Sequence, residues 1–304
     1  MWAYGDSRAA VRDALRLSRA MTYKAAVADL ALGGGKGVIM TRPGEPLSAR
    51  GREAVLLDFA DAVQALGGSY ITAEDVGTSS RDMSVISQRT RHVAGLARGR
   101  GGSGDPSPFT ALGVEVAIRA CCERAFSSDS LRDRSICVVG LGHVGSRVAK
   151  RCARAGAQLL VADVDRRKRA TAERLGARWV STDEALSAEV DVLVPCALGG
   201  FLDHLTVPRL RCRVVAGAAN NQLADDAIAD LLAERGVLWA PDFVVNAGGL
   251  INIAEELEAY NPALARRRVR GIGETLRQIL DRAEAAAITP LAAAMELARR
   301  RLQR

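Results

Sequence analysis

The sequence predicts an α/β protein of two domains, the second of which is a doubly wound parallel sheet with helices on both faces. With 304 residues the chain exceeds the usual size of one domain. Residues 97–108 (ARGRGGSGDPSP) are rich in glycine and proline, which indicates a crossing between domains. After this stretch, apolar runs alternate with helical patterns, as is typical of parallel sheets. We therefore expect domains at residues 1–105 and 106–285, with helices in residues 286–304 packing back on the first domain.

The first domain begins with a helical stretch that ends at a glycine break. Residues 7–20 (SRAAVRDALRLSRA) start at a serine that can cap a helix, and MTYKAAVADL continues as a second helical piece. Gly33, Gly34 and Gly35 end this region, and the following KGVIM predicts a strand. A helix is expected at residues 52–66, after which SYITAEDVGTSS predicts a strand that runs into a polar turn.

A regular alternation of strands and helices predicts the second domain. A helix is expected at residues 110–126. Residues 136–165 (ICVVGLGHVGSRVAKRCARAGAQLLVADVD) predict an apolar strand, a glycine turn, an amphipathic helix and a second strand. Further strands are predicted at DVLVPC, RVVAGAA and VLWAPDFVVNAGG. Strands separated by helices at this spacing indicate a parallel sheet.

The glycine turn has the spacing GxGxxG, formed by Gly140, Gly142 and Gly145, and its context makes it specific. A strand precedes it, a helix is expected to open at its second glycine, and the next strand ends in Asp163. The first glycine permits a tight turn, the second lets a pyrophosphate approach the free N–H groups of the helix, and the third lets helix and strand pack closely. This combination predicts a Rossmann-type domain that binds a dinucleotide.

The residues around this motif refine the choice of dinucleotide. A carboxylate at Asp163 can accept hydrogen bonds from a ribose diol and would repel a 2′-phosphate, which favours NAD over NADP. Arg166 and Arg167 follow shortly after Asp163, and their positive charge leaves NADP open as an alternative cofactor. His143 and Val144 lie within the motif and are candidate cofactor contacts, although His143 is expected to pack or cap the helix rather than to catalyse a reaction.

Composition and charge argue against several other classes of protein. The net charge of +7 comes from arginines spread along the chain, and aromatic residues make up only 4%, so a nucleic-acid interface is not expected. The six cysteines show no CxxC pair and no metal-ligand spacing, which predicts buried thiols, no metal site and a cytoplasmic location. Neither a signal peptide nor a membrane-spanning run is expected.

Lysine is scarce in this chain, and two of the four lysines lie around the triple glycine. Lys24 and Lys36 bracket it, whereas Lys150 and Lys168 lie far along the sequence. Arginine supplies permanent charge elsewhere, but only lysine can lose its proton when burial or a neighbouring cation lowers its pKa. The pattern predicts amine chemistry near the glycines.

Several longer segments resemble one enzyme family. In the order and spacing of the branched-chain amino-acid dehydrogenases, the chain contains MTYKAAVADLALGGGKGVI, ITAEDVGTSSRDM, GDPSPFTALGV, PCALGG, AGAANNQLAD and APDFVVNAGGLINIAEE. These enzymes belong to the wider glutamate, leucine, phenylalanine and valine dehydrogenase family. The resemblance implies NAD-dependent oxidative deamination of valine, leucine or isoleucine to the 2-oxo acid and ammonia, and the reverse reductive amination.

The resemblance also implies roles for individual residues. Lys24 would bind the α-carboxylate of the substrate, and Lys36 would be the catalytic amine, its pKa lowered by nearby positive charge. Asp75 would exchange protons with the amine and with water. Contacts to the nicotinamide and its ribose would come from Thr110, Cys196, Ala197, Asn221 and Asn246.

Three further residues, Ala73, Leu250 and Ile253, are implied to form the pocket for the substrate side chain. Leu250 and Ile253 are three positions apart and therefore lie on one face of a helix. Their apolar side chains would leave the side-chain carboxylate of a glutamate unpaired, and their bulk favours branched-chain over aromatic amino acids. The same spacing is typical of buried residues on any amphipathic helix, so the spacing also fits an ordinary core position.

Enzymes of this kind carry a further segment upstream of the position of Met1, with strands of the first domain and a GGTR-like stretch that contacts the substrate. We therefore expect a truncated N-terminal α/β catalytic domain, with exposed strand edges, poor solubility and little activity. Two alternatives remain open, namely a dehydrogenase of phenylalanine or another apolar amino acid, and an inactive homologue that binds NAD or a partner. A homo-oligomer is expected where the segment is present.

Overall fold

The structure, a computed structural model, describes residues 1–197, 199–257 and 260–304, apart from the side chain of Arg100. The helices are α1 (Ser7–Val27), α2 (Ala49–Ala65), α3 (Ser80–Ile86), α4 (Ser107–Phe126), α5 (Gly145–Arg154), α6 (Arg169–Arg174), α7 (Thr182–Leu186), α8 (Ile228–Glu234), α9 (Asp242–Val245), α10 (Gly248–Ala254), α11 (Pro262–Ala286) and α12 (Pro290–Leu302). The strands are β1 (Trp2–Ala3), β2 (Met40–Thr41), β3 (Ser135–Val139), β4 (Gln158–Ala162), β5 (Arg178–Trp179), β6 (Val192–Pro195), β7 (Val214–Val215) and β8 (Leu238–Trp239).

Strands β3 to β8 form one parallel sheet in the order β5-β4-β3-β6-β7-β8. Central strand β3 pairs with β4 and β6, so that Val138 lies between Val161 and Val194, and all three side chains are fully buried. The order reverses between β3 and β6, and doubly wound sheets bind dinucleotides at this point. The predicted Rossmann-type parallel sheet is confirmed.

One predicted strand of the second domain is mostly wrong. Within VLWAPDFVVNAGG only Leu238 and Trp239 are in a strand, and the remainder forms α9 and the start of α10. The glycines explain the difference, because they let α10 approach α4 without side chains between them. A Cβ atom on Gly248 would lie 2.3 Å from the carbonyl oxygen of Phe109. This close contact fixes α10 beside α4.

The first domain contains less strand than the sequence predicts. KGVIM is irregular except for Met40, whose strand β2 pairs in parallel with β1, and SYITAEDVGTSS contributes only a bridge from Thr72 to Val93. The glycine segment instead packs tightly without strand pairing. A Cβ atom on Gly34 would lie 2.2 Å from the backbone nitrogen of Thr22, and one on Gly35 would lie 2.6 Å from the Tyr70 ring. Because these glycines have no side chains, the segment can pack closely against Thr22 and Tyr70. This packing, rather than hydrogen bonding in a sheet, fixes its position.

Helix α1 is one continuous helix instead of the two predicted pieces, and its C-terminal end is hydrogen-bonded to helix α12 at the end of the chain. Its N-cap is Asp6, whose side chain accepts a hydrogen bond of 2.7 Å from the backbone nitrogen of Ala9. At its C-terminal end, Nη1 of Arg301 in α12 donates to the carbonyl oxygens of Ala26 (3.3 Å) and Val27 (2.6 Å). Helix α12 therefore packs on α1 and satisfies carbonyl groups that a helix end leaves free. Across the described ranges, no helix has the length and apolar character to cross a membrane.

Candidate active site

A cavity of about 730 Å³ lies between the glycine segment of the first domain and helix α10 of the second. Its walls bring together many residues that the sequence predicts for substrate and cofactor. These are Lys24, Lys36, Ala73, Asp75, Thr110, Val144, Asn246, Leu250 and Ile253. Residues from both halves of the chain thus meet in one space of the size that small-molecule sites have.

Lys24, in the last turn of α1, reaches across to the second domain. Its Nζ donates a hydrogen bond of 3.1 Å to Oδ1 of Asn220, which also accepts a hydrogen bond of 2.8 Å from Nδ2 of Asn246. Burial lowers the pKa of Lys24 to about 8, and the nearby charge of Lys36 adds to this effect, whereas the Asp242 carboxylate opposes it. Lys24 is therefore an amine that titrates close to neutral pH.

Lys36 forms an ion pair with Asp75 inside the same cavity. The lysine side chain is 21% exposed and the aspartate side chain 49%. Burial lowers the pKa of Lys36, so the main cause is desolvation rather than the neighbouring positive charge that the sequence led us to expect. The Asp13 carboxylate acts in the opposite direction, because its negative charge stabilises the ammonium form.

The polar turn that carries Asp75 is held by its own side chains. The backbone nitrogen of Asp75 donates to Oγ1 of Thr78 (2.9 Å), and the hydroxyl of Thr78 donates back to the carbonyl oxygen of Asp75 (2.8 Å). One carboxylate oxygen of Asp75 also accepts from the backbone nitrogen of Val76 (2.6 Å). The turn therefore presents the carboxylate to Lys36 in a defined position.

The apolar wall of the cavity is set by α10. Leu250 and Ile253 both line the cavity, as their spacing on one helix face predicts. A Cβ atom on Gly249 would lie 2.7 Å from Oγ1 of Thr110, so only glycine lets α10 lie this close to α4. Ala73 faces the same space from the first domain.

The three glycines of the GxGxxG turn differ in their surroundings. Gly140 has a φ of +97°, and a Cβ atom there would lie 2.9 Å from Ala197. A Cβ atom on Gly145 would lie 2.9 Å from the Cβ of Cys196. Gly142 has no neighbour within 4 Å of a built Cβ, so its backbone faces open space. Helix α5 begins at Gly145, three residues later than the predicted start at Gly142.

Comparison with known proteins identifies the family. Residues 4–92 match the Glu/Leu/Phe/Val dehydrogenase dimerisation domain, and residues 160–301 match Glutamate/Leucine/Phenylalanine/Valine dehydrogenase. The chain is 42% identical over 304 residues to leucine dehydrogenase from Thermoactinomyces intermedius, a match that covers 100% of this chain and 82% of that protein. The chain belongs to the Glu/Leu/Phe/Val dehydrogenase family.

Further matches bear on the fold and the cofactor. Valine dehydrogenase from Streptomyces virginiae is 41% identical over 305 residues, covering 99% of this chain and 84% of that protein. The solved structure of L-tryptophan dehydrogenase from Nostoc punctiforme superposes with a TM-score of 0.85 at 37% identity, covering 99% of this chain and 85% of that one. Residues 116–199 match the NAD binding domain of D-isomer specific 2-hydroxyacid dehydrogenase. The predicted two-domain α/β fold and NAD are confirmed, whereas the comparisons do not support the expected truncation.

The dehydrogenase's glycine turn and its surroundings fit NAD. The open face of Gly142 leaves room for a pyrophosphate at the start of α5. Asp163 accepts hydrogen bonds from the backbone nitrogens of Leu141 (2.6 Å) and Asp165 (2.8 Å), and each carboxylate oxygen can still accept another from a ribose hydroxyl. Arg167 is paired with Asp165 at 2.8 Å. Oδ1 of Asn246 is buried and has no partner among the described residues, so it is free to accept a hydrogen bond from a bound cofactor.

Two predicted cofactor residues have surroundings that bear on their chemistry. Burial raises the pKa of Cys196 to about 12, so its thiol stays protonated and can act only as a contact. His143 is exposed within the turn, and its carbonyl oxygen accepts a hydrogen bond of 2.6 Å from Nη1 of Arg147. Cys196 therefore lacks the environment of a catalytic acid or base.

The structure also draws attention to two residues that the sequence analysis did not select. Asn220 lines the cavity, whereas the neighbouring Asn221 does not. Asn221 has a φ of +51°, and its carbonyl oxygen accepts a hydrogen bond of 2.6 Å from the backbone nitrogen of Gly200. Glu74 also lines the cavity, and burial, with the nearby charge of Asp105, raises its pKa. Both residues adjoin a predicted one, so the motifs located the site to within one position.

Proposed function

We propose that this chain catalyses the NAD-dependent oxidative deamination of a branched-chain L-amino acid, namely valine, leucine or isoleucine, and the reverse reductive amination. One observation carries the proposal. A single cavity contains two lysines with lowered pKa values, a carboxylate paired with one of them, and an apolar wall. Amino-acid oxidation needs these groups, because the substrate brings a carboxylate, an amine and an apolar side chain to the same place.

In this proposal the substrate is held at both ends. The Lys24 ammonium binds the α-carboxylate, replacing its hydrogen bond to Asn220 with a charge-assisted one. Leu250 and Ile253 contact the substrate side chain, and Ala73 leaves space opposite them. A side-chain carboxylate placed against these two residues would be buried without a partner, which disfavours glutamate as substrate.

Lys36 and Asp75 carry the proton transfers. NAD, when bound, would supply the hydride acceptor for the α-carbon of the amino acid, so that an imine would form on the substrate. Lys36 in its neutral form then takes a proton from the water that adds to the imine carbon. Asp75 takes a proton from the substrate ammonium before hydride transfer and later returns it to the amine. The carbinolamine then breaks down into the 2-oxo acid and ammonia, and Lys36 releases its proton to solvent. The lowered pKa of Lys36 makes its neutral form more accessible than that of a surface lysine.

We further propose the cofactor contacts that the family resemblance implies. Gly140, Gly142, His143, Val144 and Gly145 form the pyrophosphate turn, and Asp163 binds the adenosine ribose. On the nicotinamide side the proposed contacts are Thr110, Cys196, Ala197, Asn221 and Asn246.

The domain limits at residues 1–105 and 106–285, with residues 286–304 returning to the first domain, are also proposals, and the bonds from α12 to α1 support them. A homo-oligomer is supported by the match of the first domain to a dimerisation domain and by the exposed apolar residues Val11 and Leu15 on α1. The six free cysteines support a cytoplasmic location.

Initial rates of NADH formation test the proposed substrate. We expect kcat/KM for valine or leucine to exceed that for phenylalanine or tryptophan by about tenfold or more, because a misfit side chain in an apolar pocket costs about 1–3 kcal/mol. Glutamate is expected to be the poorest substrate. Faster turnover of an aromatic amino acid would favour the alternative aromatic specificity. Binding of NAD without NADH formation from any apolar amino acid would favour the inactive homologue.

A further inference from the structure

A second cavity, here named the rear cavity, has a volume of about 310 Å³ and adjoins another face of helix α10. It lies among α1, α10, α11 and α12. Its lining includes Asp29, Ile251, Arg268, Gly271, Ile272 and Arg301. The volume is at the lower end of the range in which proteins bind small molecules.

Two arginines and the carboxylate of Asp29 are the charged groups that line the rear cavity. The side chain of Arg301 is only 16% exposed. Its Nη1 donates hydrogen bonds to the end of α1, and its Nε lies 3.7 Å from a carboxylate oxygen of Asp29. Nη1 of Arg268 lies 2.5 Å from Oε1 of Glu255 in an ion pair whose angles are not those of a hydrogen bond. A guanidinium has five N–H donors, so both arginines retain donors for an anion.

A glycine keeps the rear cavity open. Gly271 lies in the middle of α11, where glycine makes a helix less stable than alanine does. A Cβ atom built on Gly271 meets no described atom within 4 Å, so packing does not require glycine here. Two positions further on, a Cβ atom on Gly273 would meet the carbonyl oxygen of Val116 at 3.4 Å. The missing side chain of Gly271 therefore leaves space that a ligand can fill.

We propose that the rear cavity binds a small carboxylate with a branched apolar group and that its occupancy changes turnover in the active site through α10. Both arginines line the cavity and retain N–H donors for a carboxylate, and Ile251 and Ile272 line the same cavity with apolar side chains. Helix α10 carries Ile251 towards this ligand and Leu250 towards the active site. The binding claim stands by itself, whereas the effect on rate rests on the proposed function.

The test counts binding sites for 4-methylpentanoate, a carboxylate that carries the leucine side chain without an amine. Isothermal titration of the full chain is expected to find two sites in the wild type and one in K24A, which loses the active-site contact. The double variant K24A/G271L is expected to bind nothing, because the leucine side chain occupies space in the rear cavity that the probe needs. K24A/G271A is the matched control and is expected to keep its site. Melting temperatures of all variants establish that each is folded.

A second variant and a rate measurement keep the proposal testable if leucine at position 271 disturbs the helix. R268Q in the K24A background is expected to weaken binding about tenfold or more, because a hydrogen bond to a charged group is lost. In steady-state assays the probe is expected to inhibit the wild type by a mixed pattern and G271L competitively. Absence of binding to K24A, or undiminished binding to K24A/G271L, would overturn the proposal. These titrations decide the matter even where no deamination is found.

Discussion

Consider how the affinity of the active site for 4-methylpentanoate changes between about pH 6.5 and about pH 9.5. The carboxylate stays ionised over this range, so the titration of Lys24 decides the outcome. Because the pKa of Lys24 is lowered to about 8, raising the pH through that value removes the charge that binds the carboxylate. At about pH 9.5 roughly 3% of Lys24 remains protonated, and the affinity is expected to be about 30-fold lower than at acidic pH. With the ordinary lysine pKa of 10.5 the loss would be about 10%.

The measurement is the inhibition constant of 4-methylpentanoate against leucine at each pH, taken from the competitive component of the mixed pattern. K24R is the matched control, because arginine keeps its charge throughout and should give a nearly constant inhibition constant. A wild-type constant that does not change over the range would refute the lowered pKa. A decline in K24R as steep as that of the wild type would assign the effect to another group.

Four further substitutions test the other parts of the site. K36A is expected to lower kcat about 100- to 10,000-fold, because proton transfer by Lys36 is lost. The affinity for NADH is expected to change little, because the cofactor site is intact. Single-turnover rates measure the first effect, and NADH fluorescence measures the second. G142A is expected to keep the wild-type melting temperature but bind NAD more weakly, because its methyl group enters open space, whereas G140A is expected to melt earlier, because its methyl group meets Ala197 at a φ of +97°. L250A is expected to lower kcat/KM for leucine relative to that for phenylalanine, as measured by initial rates; an unchanged ratio would remove Leu250 from the pocket.

The sequence predicted the second domain much better than the first, and the reason is physical. Strand β3 and the GxGxxG turn carry their own signals, since apolar residues, glycines and the following helix are contiguous. In the first domain the segment KGVIM has strand composition, but the preceding glycines pack against Thr22 and Tyr70, and those contacts depend on residues far away in the sequence. Local propensity cannot anticipate contacts of that kind.

The site was predictable to the level of motifs but not of individual contacts. The scarcity of lysine pointed to Lys24 and Lys36, and both lie in one cavity. The sequence could not show that burial lowers the pKa of Lys24 as well as that of Lys36, because burial depends on how the two domains close over the glycines. It also could not distinguish Asn220 from Asn221, whose left-handed backbone turns the pair so that only Asn220 lines the cavity.

Asn220 links the two binding events of the proposed reaction. Its Oδ1 accepts hydrogen bonds from both Lys24 and Asn246. A carboxylate that binds Lys24 would lie next to this oxygen, and two acceptors cannot form a hydrogen bond with each other. The amide of Asn220 therefore has to turn and offer its Nδ2 group to the carboxylate, which releases Asn246 on the cofactor side. We expect NADH and 4-methylpentanoate to bind with coupled affinities, because each changes the same amide. In N220A the affinity for NADH, measured by fluorescence with and without the carboxylate, should no longer depend on it; coupling that survives in N220A would show that the link runs elsewhere.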